Sequence, residues 1–296
     1  MNGLAPVQRL SRSGAASATG MRDTAGRRQS ALRLIHRTDF NRAPCSLVEV
    51  KHLSPLLLQA TNPVTTPELT QNHLLEALGA EIRLRLLPHL KWVEMPLGRV
   101  LYEPGDQLRC VYFPTDCIIS LLYVMEDGAS AEISVVGNEG VLGVAVFMGG
   151  DSTSSRAIVQ SAGFAYSLPS RIIKEEFNAC PPLRMLMLRY AQALITQMAQ
   201  TAVCNRHHTI DQQLCRWLLL SLDRLPDNQL TMTQELIANM LGVRREGVTD
   251  AAGKLQRLGV IAYSRGHITV LDRPRLEQLC CECYAVVRAE TDRLLQ

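Results

Sequence analysis

Several features that would settle the class of this chain at once are missing. No apolar run approaches the roughly 18 residues of a membrane-spanning helix, so neither a span nor a membrane partner is expected. There is no P-loop, no nucleophile elbow and no His-Glu-x-x-His zinc helix, so an enzyme is not expected and no cofactor or metal is evident. Residues Trp92 to Pro169, which read as short strands, contain no histidine. A barrel enzyme built round a metal needs histidines clustered on such strands. A secretory leader is not apparent either. Nine cysteines, an odd number scattered from Cys45 to Cys283, suit reduced thiols in a cytoplasm.

A strong excess of one charge is also lacking. The net charge is +3, and residues 1–52 hold nine Lys/Arg against three acids, a net +6 that leaves −3 for the remainder. Global charge gives no support for nucleic-acid binding, so any such argument rests on local placement.

What is present is a change of pattern along the chain. Residues 1–65, rich in Ser, Ala, Arg and Pro without a period, read as a disordered or loosely packed basic tail. A transit peptide, an arm for nucleic acid, or a start assigned upstream of Met21 stay open there. His73 to Leu90 has helical spacing. From Trp92 to Pro169, β-prone runs alternate with turns such as Pro104-Gly105-Asp106 and Asp127-Gly128, the mark of a β-sandwich or roll. Such a roll encloses a cavity suited to a small effector. Pro181-Pro182 opens a helix to about His207. Its residues Leu183, Met187, Tyr190, Leu194 and Met198 are spaced nearly as a coiled-coil seam, which points to a homodimer. Packing of that helix on its own roll is the alternative. Asn205–Thr209 reads as a hinge, Ile210–Leu225 as a further helix, and Pro274–Leu295 as one closing amphipathic helix.

Thr231–Thr269 carries the sharpest signal. Leu236, Ile237, Met240 and Leu241 mark one helix, capped by Thr231 or Thr233. Gly242 supplies a tight turn. A second helix buries Val248, Ala251, Ala252 and Leu255 and leaves Arg244, Arg245, Glu246, Thr249 and Lys254 outside. Ala238 and Val248 stand where the two helices would touch. This is the layout of a helix-turn-helix, whose second helix enters a DNA major groove. Val260–Tyr263 and His267–Val270, joined through Arg265-Gly266, read as a two-stranded wing with Arg265 at a phosphate. The expected fold is α+β: an antiparallel, jelly-roll-like β-roll (66–180), a long dimerisation helix with hinge (181–208), a winged helix-turn-helix (209–272) and a C-terminal helix (273–296).

That order, with Tyr102-x-Pro104-Gly105-Asp106 in the roll and the Thr231–Leu258 stretch, resembles the Crp/Fnr family of bacterial transcription regulators over about residues 72 to 272. The resemblance implies a cyclic-nucleotide-binding-like roll, subunits paired through the long helix, promoter DNA as partner and RNA polymerase as a further one. It also implies base contacts from Arg245-Glu246. Arginine can fork onto guanine and glutamate can accept from cytosine. Asp250 stands where the family has a further arginine, which implies a different base sequence. Arg244 stands where the family has a small polar cap. The family's phosphate cassette pairs Gly-Glu with Arg-Ser or Arg-Thr. Here Gly140 is followed by Val141, Glu139 lies on the other side, and Arg156 is followed by Ala157. The effector candidates are therefore Glu139, Gly140 and Arg156. Cyclic AMP is not the expected ligand, another anionic effector is open, and so is Arg156 as a structural pair.

Some members of that family hold an iron–sulfur cluster on N-terminal cysteines, but only Cys45 lies in that region here. Cys280, Cys281 and Cys283 sit on an expected helix, where residues two apart diverge, so buried thiols are the expectation. A metal shared between subunits and a redox thiol remain alternatives. His207-His208 reads as partly exposed, with a metal-dependent hinge as the remote option. The functional expectation is a dimeric, cytoplasmic, sequence-specific regulator binding a near-palindromic duplex site, with an unidentified effector. The alternative is an interaction protein whose winged helix contacts protein.

Overall fold

The computed structural model describes residues 66–295; the expected basic tail lies outside them. Two short helices, α1 (His73–Ala77) and α2 (Ala80–Leu86), replace the single helix expected from His73 to Leu90. The chain is extended at Leu78, which turns into the core. Asn72 caps α1 and donates to the carbonyls of Pro114 and Gly140, at 2.8 and 2.9 Å, fixing the segment to the roll.

The roll contains β1 (Lys91–Met95), β2 (Val100–Tyr102), β3 (Cys110–Pro114), β4 (Ile118–Val124), β5 (Ser130–Val136), β6 (Arg156–Ser161) and β7 (Gly163–Pro169). They form two antiparallel sheets, β1-β7-β3 and β2-β6-β4-β5. Phe113, Ile119, Val136, Val159, Tyr166 and Leu168 join both sheets in one core. α3 (Ser170–Ala179), which the sequence pattern did not announce, leads from β7 into α4 (Pro181–His207).

α4 is the spine of the molecule. Leu183, Met187, Tyr190 and Leu194 are at most 4% exposed and belong to the roll's core, with Met198 packed against it. Each such side chain contributes about 1.5–3 kcal/mol by leaving water. Further along the same face, Gln197 accepts from the Val135 amide at 2.6 Å and donates to its carbonyl at 3.3 Å. The amide thus occupies the open edge of β5, an edge that would otherwise expose backbone groups.

After Thr209, whose capping box with Gln212 starts the helix, come α5 (Ile210–Leu222), β8 (Gln229–Thr231), α6 (Gln234–Leu241), α7 (Arg245–Arg257), β9 (Ile261–Ser264) and β10 (His267–Val270). β8 pairs with β10, so the wing sheet has three strands, not two. Ile118, Leu122 and Val135 of the roll share a core with α5, α6 and α7. The chain closes with α8 (Arg273–Leu279) and α9 (Glu282–Leu295), which packs along α4. The single closing helix expected from Pro274 is therefore broken, with Cys280 extended at the corner.

Candidate functional site

α6 and α7 meet at Gly242, whose φ of 65° lies in the left-handed region that glycine tolerates best. Ala238 and Val248, the expected contact residues, are buried there. The cap of α6 is Thr233, which accepts from the Leu236 amide; Thr231 instead belongs to β8. Arg244 is the N-cap of α7 and makes no side-chain cap bond, so the amides of the first turn face solvent unsatisfied by it.

Arg244, Arg245, Glu246 and Thr249 are all exposed on the first turns of α7. Their freedom is not equal. Arg245 has only a 4.0 Å approach to Glu235, both side chains being about two-thirds exposed. Thr249 donates to Gln234 at 2.7 Å or to the Arg245 carbonyl at 3.1 Å, which orients α7 on α6. Lys254, exposed on the flank, forms a 2.8 Å ion pair with Asp211 of α5. Arg265 stands at the wing tip with φ 50°, followed by Gly266 at 82°. Two left-handed residues in a two-residue connection are the turn that matches strand twist. The Arg265 side chain is exposed.

The five residues expected to pair subunits, Leu183, Met187, Tyr190, Leu194 and Met198, face inward on the roll. That expectation is corrected: α4 carries two apolar stripes, and the one chosen is consumed within the protomer. The other runs through Met185, Leu188, Gln192, Ile195, Ala199 and Ala202 in steps of three and four, all exposed. The same sequence spacing could have revealed it.

The effector candidates are not brought together. Glu139 forms a 2.8 Å ion pair with Arg224, beyond α5, and both side chains are nearly buried. Arg224 also donates to the Leu220 carbonyl at 2.5 Å. A Cβ at Gly140 would overlap the Tyr190 ring, so this glycine serves the close approach of α4. Arg156 donates to Glu103 at 2.8 Å on the surface of the roll. The roll's own cavity is about 90 Å³ and is lined by Tyr102, Leu121, Val141 and Leu194 among others, but by none of the three candidates. A larger cavity of about 480 Å³ lies between α1, α5 and α9, lined in part by His73, Arg224 and Arg288.

A buried polar seam between roll and α5 was not anticipated. Ser120 donates to Gln160 at 2.7 Å, and Gln160 donates to Ser221 at 3.2 Å. Beside them burial pushes the Glu132 carboxyl up to about 7, against the opposing pull of a Ser120 hydrogen bond and the Arg216 charge. Strand alternation flags Glu132 only as one more outward residue; its partners come from a distant helix.

Cys281 and Cys283 are buried free thiols, as expected, but their placement differs from the one expected. Cys281 and Cys283 do not share a helix, because the chain turns at Cys280–Cys281 before α9 begins. The argument from helical divergence therefore fails. Cys204, His208, Cys281 and Cys283 instead converge, with all four ligand atoms within 4.8 Å of one another. Cys110 is disulfide-bonded, against the expected reduced state, whereas the other six cysteines of the buried interior and Cys280 carry free thiols.

Comparison with known proteins places these features. Residues 212–279 match the model of the Crp-like helix-turn-helix domain. The chain is 24% identical over 190 residues to the global nitrogen regulator of Synechococcus elongatus, covering 61% of this chain and 86% of that protein. A transcriptional regulator of the Crp/Fnr family from Eubacterium rectale superposes with TM-score 0.57 at 18% identity, covering 71% of this chain and 98% of its own. FixK2 from Bradyrhizobium japonicum gives 0.57 at 15% identity, over 65% and 98%. Residues 212–279 thus carry a Crp-like helix-turn-helix domain, and the roll, spine helix and winged module follow one another with the fold of Crp/Fnr transcription regulators, which this chain resembles.

Proposed function

We propose that this regulator works as a homodimer that reads a near-palindromic duplex through Arg244, Arg245, Glu246 and Thr249, in the compartment that holds the DNA, the cytoplasm. The observation that carries the reading is the exposed first turn of α7, with two adjacent guanidinium groups and no buried partner for either among the described residues. A protruding helix end of this kind suits bidentate contacts to guanine. Arg265 at the wing tip fits a phosphate, and Lys254 reaches one by exchanging Asp211 for it. The outer stripe of α4 from Met185 to Ala202 supplies the seam between subunits. RNA polymerase is a natural further partner of a protein docked beside a promoter.

A roll that does not bind cyclic AMP fits the same reading. Ligand cavities run to about 300–1,000 Å³, far above the 90 Å³ of the roll interior. Glu139 and Arg156, the groups that would hold a ribose and a phosphate, are engaged with Arg224 and Glu103. Any effector reorients the winged module only by binding one arrangement better than another.

The test is duplex binding over a salt series, using sites selected from a random pool. Neutralised phosphates make affinity fall steeply with salt. Duplex affinity that is absent, or flat from low to moderate salt, overturns the reading. Sedimentation of Ile195→Glu reports on the seam: a monomer is expected, and an unchanged dimer removes α4 from that role.

A further inference from the structure

We propose that Cys204, His208, Cys281 and Cys283 form a tetrahedral zinc site that fastens the start of α9 to the end of α4. This goes beyond DNA reading and does not depend on it. Cys204 lies in the last turn of α4, and His208, four residues on, is its C-cap, with its amide bonded to the Cys204 carbonyl. Cys281 and Cys283 bracket the first residue of α9. The set is therefore a Cys-x3-His and a Cys-x-Cys brought together from distant parts of the chain.

The geometry selects the kind of metal. Sulfur ligands about 2.3 Å from zinc at tetrahedral angles stand about 3.8 Å apart. The Cys204 and Cys281 sulfurs are 3.6 Å apart, and the Cys283 sulfur is 3.5 Å from His208 Nδ1. Both distances match tetrahedron edges, and the remaining ones stay within 4.8 Å. A cluster with two or more irons bridged by sulfide spreads its thiolates wider than this. Three sulfurs and one imidazole also match a structural zinc site in chemistry.

The surroundings complete the argument. His208 Nε2 lies 3.4 Å from a Glu282 carboxylate oxygen, the arrangement that leaves Nδ1 to the metal and fixes the ring. Three thiolates and a neutral imidazole on a divalent cation carry one net negative charge. Arg216 is buried beside the cysteines, and its Nε has no hydrogen-bond partner among the described residues. A buried guanidinium there offsets that excess. Cys280 is only partly buried and stands outside the set of four.

Full-length protein purified under reducing, chelator-free conditions is assayed for zinc by mass spectrometry. After stripping, it is titrated with Co(II). One zinc per chain is expected, and cobalt is expected to give the intense visible bands of tetrahedral thiolate coordination with sulfur-to-metal charge transfer. Cys204→Ser and Cys283→Ser should lose the bound zinc and most of the charge-transfer band, while Cys280→Ser keeps both. Glu282→Gln should weaken the metal by about 10–100-fold. Circular dichroism checks that each variant folds, and the wild-type cobalt spectrum stands by itself if one does not. Three results overturn the proposal. One is wild-type protein with no zinc and only the weak spectrum of octahedral cobalt. Another is equal loss in Cys280→Ser. The third is a Cys204–Cys281 disulfide in freshly isolated, unreduced protein, which would make the pair a redox couple.

Discussion

The winged module and the roll treat their charged side chains in opposite ways. At the start of α7, Arg244, Arg245 and Glu246 point into solvent, and the closest ion pair any of these three makes is a 4.0 Å approach between exposed groups. On the roll, the charged residues that a ligand would need are occupied: Glu139 by Arg224, Arg156 by Glu103, and Glu132 by burial against α5. Unpaired charge held clear of the body awaits a polyanion, whereas paired charge at a seam holds two parts of one chain together. Charge placement, more than charge content, thus separates a reading surface from an assembly surface.

The largest effect is expected where the pairing is deepest. Arg224→Ala leaves Glu139 nearly buried without its cation, and a broken buried pair costs about 3–5 kcal/mol. Urea unfolding should show that loss. The double change Arg224→Met with Glu139→Leu should recover much of it, because no stranded charge remains. If Arg224→Ala unfolds at the wild-type midpoint, Glu139 was not held by that pair, and the roll regains a free carboxylate for a ligand.

Glu132 comes next, and its sign is opposite to that of an ordinary paired carboxylate. Its folded value is raised from 4.5 to about 7 by burial. The folded state therefore binds the proton more tightly. The stabilisation is complete below the unfolded value, declines as pH rises through the window up to about 7, and is gone above it. The shift corresponds to about 3 kcal/mol as an upper bound. Melting of the wild type should fall between pH 5 and 8 more steeply than melting of Glu132→Gln, and the variant should be the more stable of the two at pH 8. Parallel profiles would show that Glu132 reaches water or a fixed cation.

How much of this was legible in sequence follows the same divide. The winged module was written in local signals: Gly242 for the turn, Ala238 and Val248 for the contact, Thr233 for the cap, Arg265-Gly266 for the wing tip. Each acts within a few residues, so spacing alone exposes it. The roll's strands were legible as alternation and turns, but their partners were not. Nothing near Glu139 announces Arg224, and nothing near Gln160 announces Ser221. α4 misled because it carries two apolar stripes, one buried and one exposed, and a period cannot say which face meets the roll. Cys204 drew no attention because its companions lie 77 residues away across a corner that periodicity hid.

Arg245→Ala tests the other side of the contrast. It should lower affinity for the selected duplex by about 1–3 kcal/mol per half-site, with little change in melting, since its ion pair is exposed and worth about 0–1 kcal/mol. An equal loss on scrambled duplex would mean a phosphate contact without base reading. A drop in stability as large as the drop in affinity would place Arg245 among the assembling charges.

The smallest effect is expected at Arg156, and it sharpens the comparison most. Its pair with Glu103 is 2.8 Å long, but both side chains are more than a third exposed. Solvent screening reduces such a pair to about 0–1 kcal/mol. Arg156→Ala should therefore melt within a degree or two of the wild type, a change at the edge of detection. Its informative readout is ligand response, because Arg156 is absent from the lining of the roll cavity. Nucleotides and other small anions should shift the melting of wild type and variant equally, or shift neither. A shift confined to the wild type would mean that Arg156 releases Glu103 to bind an anion. The roll would then hold a charge in reserve just as α7 does, and the division of labour between the two regions would no longer stand.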